Sequence, residues 1–130
     1  MPHLTFEYSA NLEDRLDMQA LCAETLRAAL ETGVFETGAV RVRALRADAY
    51  AIADGLAENA FLDLSLRIGT GRTLEVKKAA GQSISDAVCA FCAPLFETPH
   101  FAFSFEIREI DPELSWRKNA IHPRLRKGRE

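Results

Sequence analysis

Three features of the chain carry residue types suited to moving a proton on a carboxylated substrate. The first is the start, Met1-Pro2-His3. Methionine ahead of a small second residue such as proline is normally removed after synthesis, which would leave Pro2 with a free secondary amine. An α-amino group has a reference pKa of about 7.7–8.0. Cations and a partly dry pocket lower its hold on the proton, so that it works as a general base near neutrality. A Met-Pro start also arises from processing alone. The second feature is Gly69-Thr70-Gly71-Arg72-Thr73, between a strand pattern and a helix pattern. Backbone N–H groups of such a turn, with a helix N-terminus behind it, favour anions. Arg72 adds a planar fork that matches a carboxylate; the bland alternative is a glycine turn with a solvated arginine. The third is Arg41 and Arg43, on one face of a strand pattern. Arginines there are usually solvated or in surface pairs, unless a neighbouring subunit shelters them.

Together the three fit one chemistry. An amine takes a proton from an enol, or from carbon next to a carbonyl. Arginines hold the substrate's carboxylates and stabilise the developing enolate, and their charge disfavours the protonated amine. The expectation is a 1,3- or 1,5-proton shift in a small carboxylated keto or enol acid, with Pro2, Arg41 and Arg72 as catalytic residues, Arg41, Arg43 and Arg72 as carboxylate-binding residues, and no metal or organic cofactor.

The elements that must position these residues read as strand, helix, strand, twice over. Leu4, Phe6 and Tyr8 alternate with polar neighbours, the period of a half-buried strand. Asn11, with Asp14 three residues on, reads as the cap of a helix through Leu16, Leu21, Cys22, Leu26, Ala29 and Leu30, stopped by Gly33. A second strand follows at about 39–47. Residues 48–59 fit a short strand, an irregular crossing or a turn. The second unit starts at Phe61. Leu62, Leu64, Leu66 and Ile68 alternate in a strand, Thr73 caps a helix carrying Ala80, Ile84, Ala87, Val88, Phe91 and Leu95, and Phe101, Phe103, Phe105 and Ile107 alternate in a fourth strand. Gly81 is a mild cost inside that helix, and Pro94 loosens its last turns. A polar tail from Asp111 holds Trp116 and ends in a basic run, Arg124, Arg126, Lys127 and Arg129.

The pattern predicts one α+β domain over 1–130: two tandem βαβ units, at about 2–47 and 60–110, forming a four-stranded mixed sheet with two helices on one face, and a tail at 111–130. The other sheet face, with Thr5, Ser65, Ala102 and Ser104, suits packing against further copies in a cyclic oligomer.

Composition narrows the rest. The 130 residues carry a net charge of −3, against nucleic-acid binding. No apolar run approaches the ~20 residues of a membrane span, and no export signal is read at the start. Three cysteines, Cys22, Cys89 and Cys92, suit a reduced, cytoplasmic setting. Cys89-Ala-Phe-Cys92 has the spacing of half a zinc site without a second half, and reads as two small residues on one helix face.

The chain resembles the 5-carboxymethyl-2-hydroxymuconate isomerase family of the tautomerase superfamily, in which an amino-terminal proline is catalytic. The resemblance rests on Met1-Pro2-His3, Thr32-Gly33-Val34-Phe35, Arg41 with Arg43, Ala53-Asp54-Gly55, Leu66-Arg67-Ile68-Gly69-Thr70-Gly71-Arg72, Ser104-Phe105-Glu106-Ile107, Lys118-Asn119 and His122, in that order. It implies a homotrimer that ketonises 5-carboxymethyl-2-hydroxymuconate, a compound with three carboxylates, in homoprotocatechuate catabolism. Pro2 is then the general base, and Arg72 and Arg41 bind carboxylates and polarise the dienol. The alternatives are a tautomerase of another enol acid, such as a phenylpyruvate-like compound, and a trimeric ligand-binding module without turnover.

Overall fold

Strict alternation of apolar residues at four places in the chain produces four strands, and the computed structural model, which describes residues 1–127, joins them in one sheet. The order along the chain is β1 (His3–Ser9), α1 (Met18–Glu31), β2 (Arg41–Ala47), β3 (Ala60–Ile68), α2 (Leu74–Phe91), α3 (Ala93–Phe96), β4 (Phe101–Glu109) and α4 (Ile121–Lys127). Short 3-10 turns lie at Ala10–Leu12, Thr37–Ala39 and Pro112–Leu114. Arg129 of the basic run lies outside the described residues.

Across the sheet the order is β2-β1-β3-β4. β1 runs parallel to β2 and β3 parallel to β4, while β1 and β3, in the middle, are antiparallel. Each parallel pair is a βαβ unit, closed by α1 or α2. The antiparallel seam therefore brings the N-terminal ends of β1 and β2 to the same edge as the C-terminal ends of β3 and β4.

One sheet face makes the core. Leu4, Phe6, Leu62, Leu64 and Leu66 have no exposed surface, and Leu21 of α1 and Ile84 of α2 pack on them equally dry. Each such side chain contributes roughly 1.5–3 kcal/mol relative to exposure. Gly81 has a structural reason to be small, since a Cβ there would stand 3.0 Å from Ile107 Cδ1; the missing side chain lets α2 lie against β4. The other face, with Thr5, Glu7, Asp63, Ser65, Ser104 and Glu106, is half-buried or exposed, and Leu45 of the same face is 51% exposed.

Three local readings change and a fourth, left open, is settled. The cap of α1 is Asp17, whose carboxylate accepts from the Ala20 N–H at 3.0 Å. Asn11 instead sits in the first 3-10 turn and donates to the carbonyls of Asn59 (2.8 Å) and Ala57 (3.3 Å). Leu16 accordingly precedes the helix, though it still packs against the core. Ala39 belongs to the 3-10 turn before β2. Residues 48–59 form neither strand nor helix and hold Ala53 and Gly55 at positive φ. Pro94 falls in α3, a separate short turn after α2 has ended.

At the sheet edge away from residue 1, polar side chains stitch the units together. Ser9 Oγ accepts from the Phe61 N–H at 2.9 Å. Asn59 is buried and uses its amide on Asp54 (2.7 Å), the Ile52 carbonyl (3.1 Å) and His100 Nδ1 (3.1 Å).

Phe6 lies on a central strand and is wholly buried. Phe6→Ala should lower unfolding stability by about 3–5 kcal/mol, read from the midpoint of a urea titration.

Candidate active site

The edge that gathers the start of β1 and the end of β3 is where the chemistry-bearing residues meet. Pro2 is buried immediately before β1, its carbonyl accepting from the Arg41 N–H at 3.1 Å. Proline suits the entry of a strand, where its missing donor breaks no ladder bond. The register His3↔Arg41 sets Arg41 beside the chain start, and its Nη1 lies 3.0 Å from Met1 Sδ. On the other side the register His3↔Arg67 brings the end of β3 and the Gly69–Arg72 turn to the same place.

In that turn Gly71 has φ 109°, a conformation glycine adopts freely. Arg72 folds back so that its Nη1 and Nη2 lie 3.4 and 3.5 Å from the carbonyl oxygens of Gly69 and Val34. Its guanidinium carbon stands 5.2 Å from the centre of the Phe35 ring, a cation–π placement. The start of α2 is capped from within, Thr73 Oγ1 accepting from the Val76 N–H at 3.2 Å. The guanidinium of Arg72 is thus the positive charge at this turn.

The tail completes the site. The Ile110 N–H donates to the Ile68 carbonyl at 2.7 Å, and the chain then crosses the whole sheet end, from the β4 side to the turn before β2. There Asn119 donates to the Gly38 carbonyl at 2.9 Å, and its side-chain oxygen accepts from the N–H groups of Ile121 (2.7 Å) and His122 (3.1 Å). A Cβ on Gly38 would lie 2.7 Å from His122 Nδ1 and 3.2 Å from its backbone; only glycine lets α4 come this close. Arg126 grips Glu36 with two nitrogens, Nη2 at 2.7 Å, and His122 Nδ1 is 3.4 Å from the same carboxylate.

Two cavities open around residue 1. The larger, about 490 Å³, is bounded by Pro2, Glu36, His122 and Arg126 among others; the smaller, about 280 Å³, reaches Thr70, Pro112 and Ser115. Met1, Arg72 and Arg117 line both.

The electrostatics are one-sided. The amine, which belongs to Met1 in the unprocessed chain, is held below its ordinary value of 8.0, first by burial and then by the charges of Arg117, Arg72, Arg41 and Arg67. Among the described residues none of these four is ion-paired with a carboxylate, whereas Arg27, Arg46, Arg108 and Arg126 each are. Burial, then Arg67, Arg41 and Arg43, lowers His3 to about 4.

Of the residues picked out in the sequence, Pro2, Arg41 and Arg72 converge on the chain start. Arg43 lies one strand step away, its Nη1 3.4 Å from His3 Nδ1; like Arg41, which instead meets Met1 Sδ, it lines neither cavity. Arg117 and Glu36 escape the sequence reading, and His122 and Arg126 enter it only through the resemblance and the basic run, because the tail that meets Glu36 has no periodicity to say where it returns. The cysteines are remote from the site: Cys92 is buried, which pushes its thiol up to about 11.

Fold and site together define a class: a doubled βαβ sandwich whose amino-terminal amine lies among unpaired guanidinium groups. A family model for 5-carboxymethyl-2-hydroxymuconate isomerase matches residues 2–125. The Escherichia coli 5-carboxymethyl-2-hydroxymuconate Delta-isomerase is 34% identical over 94% of this chain and 97% of its own. A crystal structure of a 5-carboxymethyl-2-hydroxymuconate delta-isomerase superposes with a TM-score of 0.89 at 34% identity, covering 96% of this chain and 93% of that one. The isomerase from Deinococcus radiodurans R1 gives 0.86 at 38% identity, covering 95% and 93%. The chain belongs to the 5-carboxymethyl-2-hydroxymuconate isomerase family. Its fold is shared more widely, with a macrophage migration inhibitory factor-like protein from Entamoeba histolytica at 11% identity and a TM-score of 0.59, over 90% of this chain and 95% of that one.

The low His3 value predicts a neutral imidazole at pH 7 and down to about pH 4, checked by nitrogen-detected NMR of the ring. In the unfolded chain His3 takes up its proton near 6.5, so its contribution to stability is lost as pH falls from about 6.5 to about 4. His3→Gln should remove that part of the acid-side decline in the unfolding midpoint.

Proposed function

We propose that this protein ketonises 5-carboxymethyl-2-hydroxymuconate, in the catabolism of the aromatic acid homoprotocatechuate, with Pro2 as the general base once Met1 is removed. The observation that carries the reading is the set of unpaired arginines around the chain start. Among the described residues four arginines without a carboxylate partner surround the chain start, where burial and then their charge lower the amine's pKa, which suits an anionic substrate and a general base.

In this reading the neutral Pro2 nitrogen removes the hydroxyl proton of the dienol. The electron pair moves through the conjugated chain, and the proline ammonium delivers the proton to a carbon of that chain remote from the hydroxyl. One proton leaves oxygen and one arrives at carbon, with no change of oxidation state. Arg72 and Arg41 bind carboxylates and offset the negative charge that spreads over the dienolate. Arg43, turned towards His3, is given no substrate contact.

The half-polar sheet face and the family membership support a homotrimer, in which that face meets other copies. Among the described residues no helix is long and apolar enough to cross a membrane, and the unpaired cysteines support a cytoplasmic setting.

Ultraviolet spectroscopy of the dienol with and without enzyme tests the activity, with mass spectrometry of the same sample for Met1. The expected result is acceleration by protein that lacks Met1. Activity in protein that keeps Met1 removes Pro2 as base, and no acceleration alongside good turnover of phenylpyruvate enol moves the substrate. Arg72→Ala should lower kcat/KM by roughly 10- to 150-fold, the equivalent of about 1.5–3 kcal/mol. The same change should move the low-pH limb of kcat/KM to higher pH, because losing a nearby cation raises the amine's pKa.

A further inference from the structure

We infer that Arg117 is a substrate-binding residue that selects for an additional carboxylate, gripping the one that Arg72 and Arg41 leave free. The inference rests on the proposed reaction for the identity of the substrate. It rests on the geometry alone for the preference between polycarboxylates.

Arg117 lies at the waist of the site. It lines both cavities, together with Met1 and Arg72. A ligand reaching from one cavity into the other past the amine meets both guanidinium groups. Among the described residues, Arg117 and Arg72 are the only charged side chains in the smaller cavity. In the larger one the third arginine, Arg126, is engaged by Glu36. The Arg117 guanidinium itself is exposed and has no hydrogen bond or ion pair among the described residues. An exposed arginine on a loose tail would mean little, but this stretch is pinned on both sides. Ile110 is tied to Ile68 before it and Asn119 to Gly38 after it. Its charge also reaches the amine, more strongly than that of Arg72 or Arg41. A planar fork with its donors unspent, in the two cavities that open around residue 1, matches a carboxylate beyond those that Arg72 and Arg41 take.

Calorimetric titration of the Met1-free protein with propane-1,2,3-tricarboxylate and with glutarate tests this without turnover. Wild type should bind the tricarboxylate at least about tenfold more tightly than the dicarboxylate. R117A should erase that ratio, R117K should restore part of it, and R15A, the same change of net charge on a remote exposed residue, should leave it intact. In the steady state, R117A should raise KM for the three-carboxylate dienol about 10- to 100-fold with little change in kcat, and affect 2-hydroxymuconate, with two carboxylates, far less. Circular dichroism of R117A should match wild type, as the residue is exposed. The inference is overturned if wild type shows no preference, if R117A keeps the ratio, if R117A weakens both ligands equally, or if R15A behaves like R117A. If neither dienol is turned over while the binding ratio follows Arg117, the proposed reaction fails and the assignment of Arg117 stands.

Discussion

The antiparallel pairing of β1 with β3 is the constraint from which the site follows. Within each βαβ unit the strands are parallel, so a unit alone would place its first strand's start far from its helix-leading turn. Turning the second unit over against the first puts the end of β3 beside the start of β1. The Gly69–Arg72 turn then faces the amino terminus, and the register that pairs His3 with Arg67 also pairs it with Arg41. A one-residue slip would swing Leu4, Phe6 and Tyr8 out of the core. The same alternation that secures the hydrophobic layer therefore fixes the spacing of the charges.

Those charges are costly to gather. Elsewhere the arginines are neutralised locally, as Arg27 is by Glu24 and Glu31, or Arg46 by Glu13 and Asp48. Around residue 1 the carboxylates are absent from Arg41, Arg67, Arg72 and Arg117, and Arg72 settles for two long contacts to carbonyl oxygens and an aromatic ring. Mutual repulsion is offset by exposure to solvent and by the packing that holds each backbone in place. An anion arriving there would relieve the repulsion as well as make its own bonds, a local strain of the kind that collects at functional sites.

How much of this was legible in the sequence depended on whether a residue's position was set locally. β3 and β4 could be read from alternation alone, and Thr73 from its place before an apolar helix face. Asn11 read as the cap of α1, but Asp17 holds that place, and the Asn11 amide bonds the carbonyl of Asn59, 48 residues away. Thr25 is fully buried in α1 although polar, because its hydroxyl bonds the Leu21 carbonyl one turn back at 2.7 Å, a satisfaction no hydropathy pattern shows. The arginines at 41 and 72 stood out by type and by the turn or strand around them. Arg117 did not, since its place in the site comes from a stretch of tail that crosses the sheet end without regular structure.

The edge away from residue 1 repeats the geometry of the site without its reactive group. There β3 and β4 begin as β1 and β2 do at the other edge, but a peptide bond joins Asn59 to Ala60, and the space is filled by the amide network of Asn11, Asn59 and His100. The doubled unit thus has two scaffolds and a single terminal α-amine, because linking two units in one chain turns the second amine into an amide. In the proposed reaction, whatever number of copies assembles, the stoichiometry of reactive centres follows the number of chain starts and not the number of repeats.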